Sequence, residues 1–302
     1  MVSASSTQSG GCRERSFIMK ILDVRTRPPF GSIRDGMFNN PGRELFEPEA
    51  FAPRFGMSIG ESARQRSMSL FIQEMDEAGI SLGAVLIRKS TGMDNNDLAR
   101  LDVAYPGRFI GIAGIDPLDG EEALRETEHF ALKGACRGIL LEPGFCSTPL
   151  YANDRLSYPI YELCQQHGIP VFLSFGGYVA PDLTYNSPFI IDRLALDFPS
   201  LKLVIAHGGW PFVTEICHVA FNRENVYLAP DLYTMNVPGN RDYLAAANYF
   251  IPEKFLFGTA YPCVSMQEAV DYYRNWGLRP EVLPKIMYQN AADVLGIEGP
   301  SE

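Results

Sequence analysis

Short apolar runs rich in Val, Ile, Leu and Phe recur along the chain, at 20–26, 82–88, 109–115, 137–142, 169–175, 201–207, 225–231 and 254–260. Runs of this length and composition suit strands buried on both faces of a parallel sheet. Between them the pattern predicts helices over 62–79, 94–105, 120–133, 154–167, 187–198, 211–222, 240–250 and 265–276. His167-Gly168 closes one of these, with glycine where a left-handed residue is needed. Asp119-Gly120 opens another, with Asp119 as the expected cap. Eight strand–helix units predict an α/β fold, a single-domain (β/α)8 TIM barrel, in preference to a doubly wound sheet.

The expected domain organisation is a flexible extension over 1–18, a barrel over 19–297 and a short tail over 298–302. Segment 28–60, rich in Pro, Gly, Phe and Arg and without clear period, reads as an inserted loop after the first strand. Loops this long are commonly functional, and one following a barrel strand sits on the catalytic face, so a substrate lid is expected. Residues 279–297 read as further helix outside the barrel, with Asn290 as a cap.

Catalytic groups of this fold come from the C-terminal ends of the strands. Those ends offer Arg25 and Arg27, Arg88, Asp116, Glu142, Ser174, His207, Asp231 and Tyr261 in turn, an unusually polar ring. Strict alternation along the first strand puts Asp23, Arg25 and Arg27 on one face. Two guanidiniums there repel a cation and suit a carboxylate or phosphate. Arg88 is the expected third member of this anion site. His207 lies in Ala-His-Gly-Gly-Trp210-Pro, a strand end followed by a sharp turn, and is the candidate general acid/base. His129, His167 and His218 fall within helices instead. Glu142 and Asp231 are candidate groups for orienting water or the imidazole. Ser174, Trp210 and Tyr261 complete the expected substrate contacts.

Composition narrows the partners. The net charge of −10 argues against nucleic acid and an anionic membrane surface, and no apolar run reaches the length of a membrane span. Six cysteines without CxxC spacing read as free thiols in a reducing compartment, so a cytoplasmic location is expected. Residues 1–18 have no apolar core of a signal peptide. The expected partner is a small carboxylated molecule, with homo-oligomerisation left open.

Three segments, Lys20-Ile-Leu-Asp23-Val-Arg25-Thr-Arg27, Ile205-Ala-His207-Gly-Gly-Trp210-Pro211 and Phe257-Gly-Thr-Ala260-Tyr-Pro262, resemble the amidohydrolase-related family. There the first strand ends Asp-x-His-x-His and the last reads Gly-Thr-Asp-Tyr-Pro. The resemblance spans about 19–297. It puts Arg25 and Arg27 at the two first-strand histidines, Ser174 at the strand-5 histidine and Ala260 at the strand-8 aspartate, and retains His207. One histidine is short of the three or four ligands that zinc takes, so no metal and no cofactor is expected. The family includes decarboxylases such as aminocarboxymuconate semialdehyde decarboxylase, hydratases, and a metal-free lactonase acting on pyrone dicarboxylate. The resemblance therefore implies a metal-independent hydrolase acting on a small carboxylated lactone or cyclic ester. The alternatives are a decarboxylase or other lyase of an aromatic or unsaturated acid, and a barrel that binds anions without chemistry.

Overall fold

The computed structural model describes residues 19–38, 47–177 and 181–297. The expected extension 1–18, the tail 298–302 and residues 39–46 of the insertion lie outside the described residues. Seven parallel strands neighbour one another in chain order: β1 (Ile21–Thr26), β2 (Ile80–Leu86), β3 (Phe109–Ile115), β4 (Gly138–Leu141), β5 (Val171–Ser174), β6 (Leu203–Ala206) and β7 (Val226–Ala229). Helices intervene between them, as the alternating pattern predicts, and the architecture is a TIM barrel.

The run 254–260 closes the barrel without becoming a regular strand. Leu228 pairs in parallel with Phe255, and the Leu228 N–H donates to the Lys254 carbonyl at 2.8 Å. On the other side the Val24 N–H donates to the Phe257 carbonyl at 3.0 Å. The ladder stops there because its groups are used elsewhere. The Phe257 N–H goes to the Ile286 carbonyl at 3.1 Å, and the Asn290 amide donates to the carbonyls of Pro252 and Phe255, each at 2.8 Å. Asn290 is thus a tether inside a continuous helical run, not the cap expected from sequence. Asp119 likewise pairs with Lys89 at 2.9 Å, and the helix Glu121–Thr127 begins after Gly120 with no side-chain cap. Gly168 does end its helix in the left-handed region, at φ 67°.

Leu22, Val24, Ala84, Leu86, Ile110, Ile112, Leu140, Phe172, Val204, Ala229 and Leu256 form one cluster. Side chains from all eight segments meet only in the barrel interior. Ala291, Val294 and Leu295 of the last helix join the cluster. A second, larger cluster, which includes Val85, Ile139, Leu173 and Ile205, lies between the sheet and the helices. The insertion, aperiodic in sequence, carries the helices Gly31–Phe38 and Pro48–Phe51 and a turn over Ala52–Phe55. The predicted helix 62–79 is broken at Arg66, with φ 50°, into Glu61–Gln65 and Met68–Ala78.

Strict alternation fails in β1. Asp23 is level with Gly83 but Thr26 with Val85, so β1 holds one extra residue over that interval, a β-bulge. Bulges re-aim side chains and gather next to active sites. Here Val24 stays in the inner cluster while the next residue, Arg25, lines a cavity at the barrel mouth. Asp23 leaves the face it was expected to share with Arg25. Its carboxylate accepts the Arg25 N–H at 2.9 Å, the Thr259 N–H at 2.9 Å and the Thr259 hydroxyl at 2.6 Å. It ties the bulge to the closing segment across the barrel seam. Burial pushes its carboxyl up to about 6, against those hydrogen bonds. Truncating Asp23 leaves three buried donors unmet. Asp23→Ala is expected to lower unfolding free energy by about 2–4 kcal/mol, measured by urea denaturation, and an effect below about 1 kcal/mol would show that the clasp is dispensable.

Candidate active site

The ends of β6, β7 and the closing segment turn through backbone conformations that L-residues rarely adopt. His207 has φ 65°, Asp231 φ 48° and Ala260 φ 59°. Each such residue costs on the order of 1–3 kcal/mol, and they cluster at functional sites. After His207 the chain continues left-handed through Gly208 at φ 60°. A Cβ there would meet Pro230 at 2.6 Å and the Tyr243 hydroxyl at 2.8 Å, so only glycine fits. The turn brings the imidazole beside Arg25 of β1 and Asp231, which follows β7.

Asp231 is fully buried. Its Oδ2 lies 2.9 Å from Arg25 Nε and 3.1 Å from His207 Nδ1, as close ion-pair contacts that are not aligned as hydrogen bonds. Arg25 Nη2 is 2.8 Å from His207 Nε2. A guanidinium can only donate, so Nε2 accepts and the ring proton sits on Nδ1, facing Asp231. Burial, reinforced by Arg25, depresses the His207 pKa against the pull of Asp231, and the ring rests neutral. On the opposite side Arg88 Nε donates to both Glu142 oxygens, at 2.8 and 3.1 Å. The Ser174 and Ser90 hydroxyls also donate to Glu142, at 2.8 and 3.2 Å. Burial would raise the Glu142 carboxyl, but Arg88 and Arg27 hold it below the ordinary range.

Arg27 stands between these two pairs with no ion-pair partner among the described residues. Its Nε donates to the Leu86 carbonyl at 3.0 Å, and its Nη2 is buried without a hydrogen-bond partner. Burial, with Arg25 and Arg88 nearby, pulls its pKa well down, opposed by Glu142. Arg25 Nη1 is a second buried donor without a partner. Arg25 and Arg88 are thus each paired with a buried carboxylate, and Arg27 is not.

Arg25, Arg27, Arg88, Ser174 and His207 line one cavity of about 110 Å³. The other four expected contacts do not. Asp231 and Glu142 lie behind the arginines and neither lines the cavity. Trp210 donates to the Pro238 carbonyl at 3.0 Å and stacks on Tyr233 at 5.3 Å. Tyr261 is buried with its hydroxyl 3.0 Å from Ser62 and its ring against Phe71. Its hydroxyl is engaged on the helical side. Tyr233, which meets His207 edge-on at 5.3 Å, forms a wall that the sequence reading missed. Its place two residues after a strand-end aspartate is the signal that could have found it. Glu47 and Phe51 of the insertion, together with Phe145, Ala260 and Cys263, also line the cavity. Burial pushes the Cys263 thiol up to about 11, against Arg25 and Arg27.

The site and fold define a barrel of the amidohydrolase class with an arginine-lined mouth. The chain belongs to the amidohydrolase family, whose sequence pattern matches residues 63–297. It is similar to the crystal structure of an uncharacterised TIM-barrel protein from Bordetella bronchiseptica, at 36% identity and TM-score 0.85, over 92% of this chain and 99% of that one. It shares the fold of 5-carboxyvanillate decarboxylase from Sphingomonas paucimobilis, at 17% identity and TM-score 0.66, over 93% of this chain and 100% of that one. A 2-keto-4-carboxy-3-hexenedioate hydratase from a Sphingobium species is 27% identical over 135 residues, which is 38% of this chain and 39% of that protein.

The family raises the question of a metal ion, and this donor set does not fit one. Guanidiniums of Arg25 and Arg27, the Ser174 hydroxyl and the Ala260 methyl stand at the ligand places given by the resemblance. The His207 lone pair is turned to Arg25. No three His, Cys, Asp or Glu side chains converge for a metal among the described residues.

Removing one partner of a buried ion pair strands the other charge and typically costs 3–5 kcal/mol. Asp231→Asn is therefore expected to destabilise the fold by about that amount. Combining it with Arg25→Met should restore part of the loss. A double-mutant cycle by chemical denaturation checks this, and additive effects would contradict the pairing.

Proposed function

We propose that this chain is a metal-independent enzyme that adds water to a small carboxylated substrate, with opening of a lactone or cyclic ester as the first reading. The observation that supports it most is Arg27, a buried guanidinium with no ion-pair contact among the described residues and an unmet donor. Such a charge calls for an anion. A substrate carboxylate fits, because Arg presents a forked set of donors to it. Arg25 and Arg88 are each fixed by a buried carboxylate and supply further positive potential where an acyl oxygen would gain charge, as preorganised donors do in transition states. His207, neutral and exposed to the cavity, is the proton carrier at the reacting atoms. Its Nε2 becomes free when a substrate anion draws Arg25 Nη2 away. Asp231 holds the imidazole and Arg25 in place, and Glu142 does the same for Arg88. A cavity of about 110 Å³ favours a compact substrate.

Hydration of a conjugated acid is the second reading. The similarity to a protein named as a hydratase of a keto-bearing, unsaturated acid supports it. It uses the same anion site and the same water chemistry. Decarboxylation fits less well. A carboxylate must lose its charge to leave as carbon dioxide, and guanidiniums clamped on it stabilise the starting state more than the transition state.

Arg27→Ala is expected to weaken binding of succinate by about 2–4 kcal/mol in isothermal titration, and unchanged affinity would assign Arg27 to structure. The reaction is sought by offering chelator-treated protein a panel of carboxylated lactones and unsaturated acids. Turnover is expected to survive the chelator. His207→Asn should then lose about 10²–10⁴-fold in kcat with its melting temperature kept. A variant that melts early but stays active would place His207 in the structure instead, and a wild type that binds succinate yet converts nothing would make the barrel an anion-binding protein.

A further inference from the structure

Water addition needs a group that takes a proton from water, and that group must face the cavity. The two carboxylates expected to serve from sequence are both committed. Asp231 is fully buried against Arg25 and His207. Glu142 receives Arg88, Ser174 and Ser90. His207 is assigned above to carrying the proton at the reacting atoms, with its other nitrogen against Asp231. The strand-8 position that the family resemblance assigns to an aspartate is Ala260.

One acidic residue among the described residues does line the cavity, and it comes from the insertion: Glu47. Its local role is backbone only. Glu47 heads the short helix Pro48–Phe51, and its carbonyl accepts the N–H groups of Ala50 and Phe51, each at 3.0 Å. Its side chain makes no capping hydrogen bond, although a residue at that place ordinarily uses its side chain so. Three arginines line the same cavity. Phe51, one turn on, lines the cavity too and packs edge-on against Phe55 at 5.1 Å. Phe55 in turn packs on Tyr233 at 5.6 Å. This chain of rings anchors the segment bearing Glu47 to the wall beside His207.

We propose that Glu47 is the water-activating base, carried on the insertion and not on the barrel. The inference rests on the water-addition reading above. In lactone opening, Glu47 takes one proton from water and the water oxygen forms a bond to the acyl carbon. The acyl oxygen gains negative charge against the arginines. The ring C–O bond then breaks. The ring oxygen leaves with the proton taken by Glu47, returned through His207 Nε2, so both groups end as they began. In hydration of a conjugated acid the same proton is taken from water as its oxygen adds to the carbon–carbon double bond. It is returned to the neighbouring carbon.

The test compares wild type, Glu47→Gln and Glu47→Asp on whichever panel compound the wild type converts, with succinate titration on the same preparations. Glu47→Gln is expected to lose at least about 100-fold in kcat with KM within about threefold and to lose the acid limb of the kcat–pH profile. Glu47→Asp should recover part of the rate and keep that limb. Succinate should bind Glu47→Gln at least as tightly as wild type, since a like charge has been removed. A Gln variant with wild-type kcat overturns the assignment and leaves the water-addition reading standing. So does a Gln variant that fails to bind succinate, because Glu47 then shapes the pocket. A wild type that adds water to nothing in the panel, or that releases carbon dioxide, overturns both.

Discussion

Asp231 is the interaction on which the site depends. A carboxylate with no exposure is tolerable only because a guanidinium and an imidazole share one of its oxygens. In return it fixes both. Arg25 is held with one nitrogen on His207 and another without a partner, and His207 is held in a single tautomer. The left-handed backbone at His207 and Asp231 is the local strain that this arrangement requires. The Asp23 clasp supports it from below, by setting the bulge that turns Arg25 toward the cavity.

Replacing the ligand places of a metallohydrolase barrel with arginines changes how positive charge is delivered. A divalent ion is a compact charge that binds water directly and lowers its pKa. Guanidiniums spread their charge over forked donors, which suit a carboxylate or a developing oxyanion but do not ligate water. Such a site recognises anions well and is left needing a separate base for water. This physical gap makes a carboxylate on the insertion informative.

The family match begins at residue 63, after the strand that carries Arg25 and Arg27 and after the insertion that carries Glu47. Arg25, Arg27 and Glu47 thus lie outside the matched stretch, while Arg88, Ser174 and His207 of the same cavity lie within it. What the family supplies is a frame of strand ends. The polar groups on that frame set the chemistry.

Strand order and fold were legible in the sequence, because strands buried on both faces must be continuously apolar and because helices must alternate with them. So were Arg25, Arg27, Arg88, Ser174 and His207, since strand ends point to one mouth in this fold. Alternation alone could not reveal the bulge, which arises from pairing with β2 and moves Asp23 away from Arg25's face. Nor could it separate cavity-facing acids from those behind the arginines, or show that Trp210 and Tyr261 turn to other partners. Glu47, Phe51 and Tyr233 came into view only with the fold, because segments distant in sequence meet there and the insertion has no period to read. Sequence determined which groups are available at the mouth. Tertiary packing decided which of them are paired, since that depends on neighbours brought together from different strands.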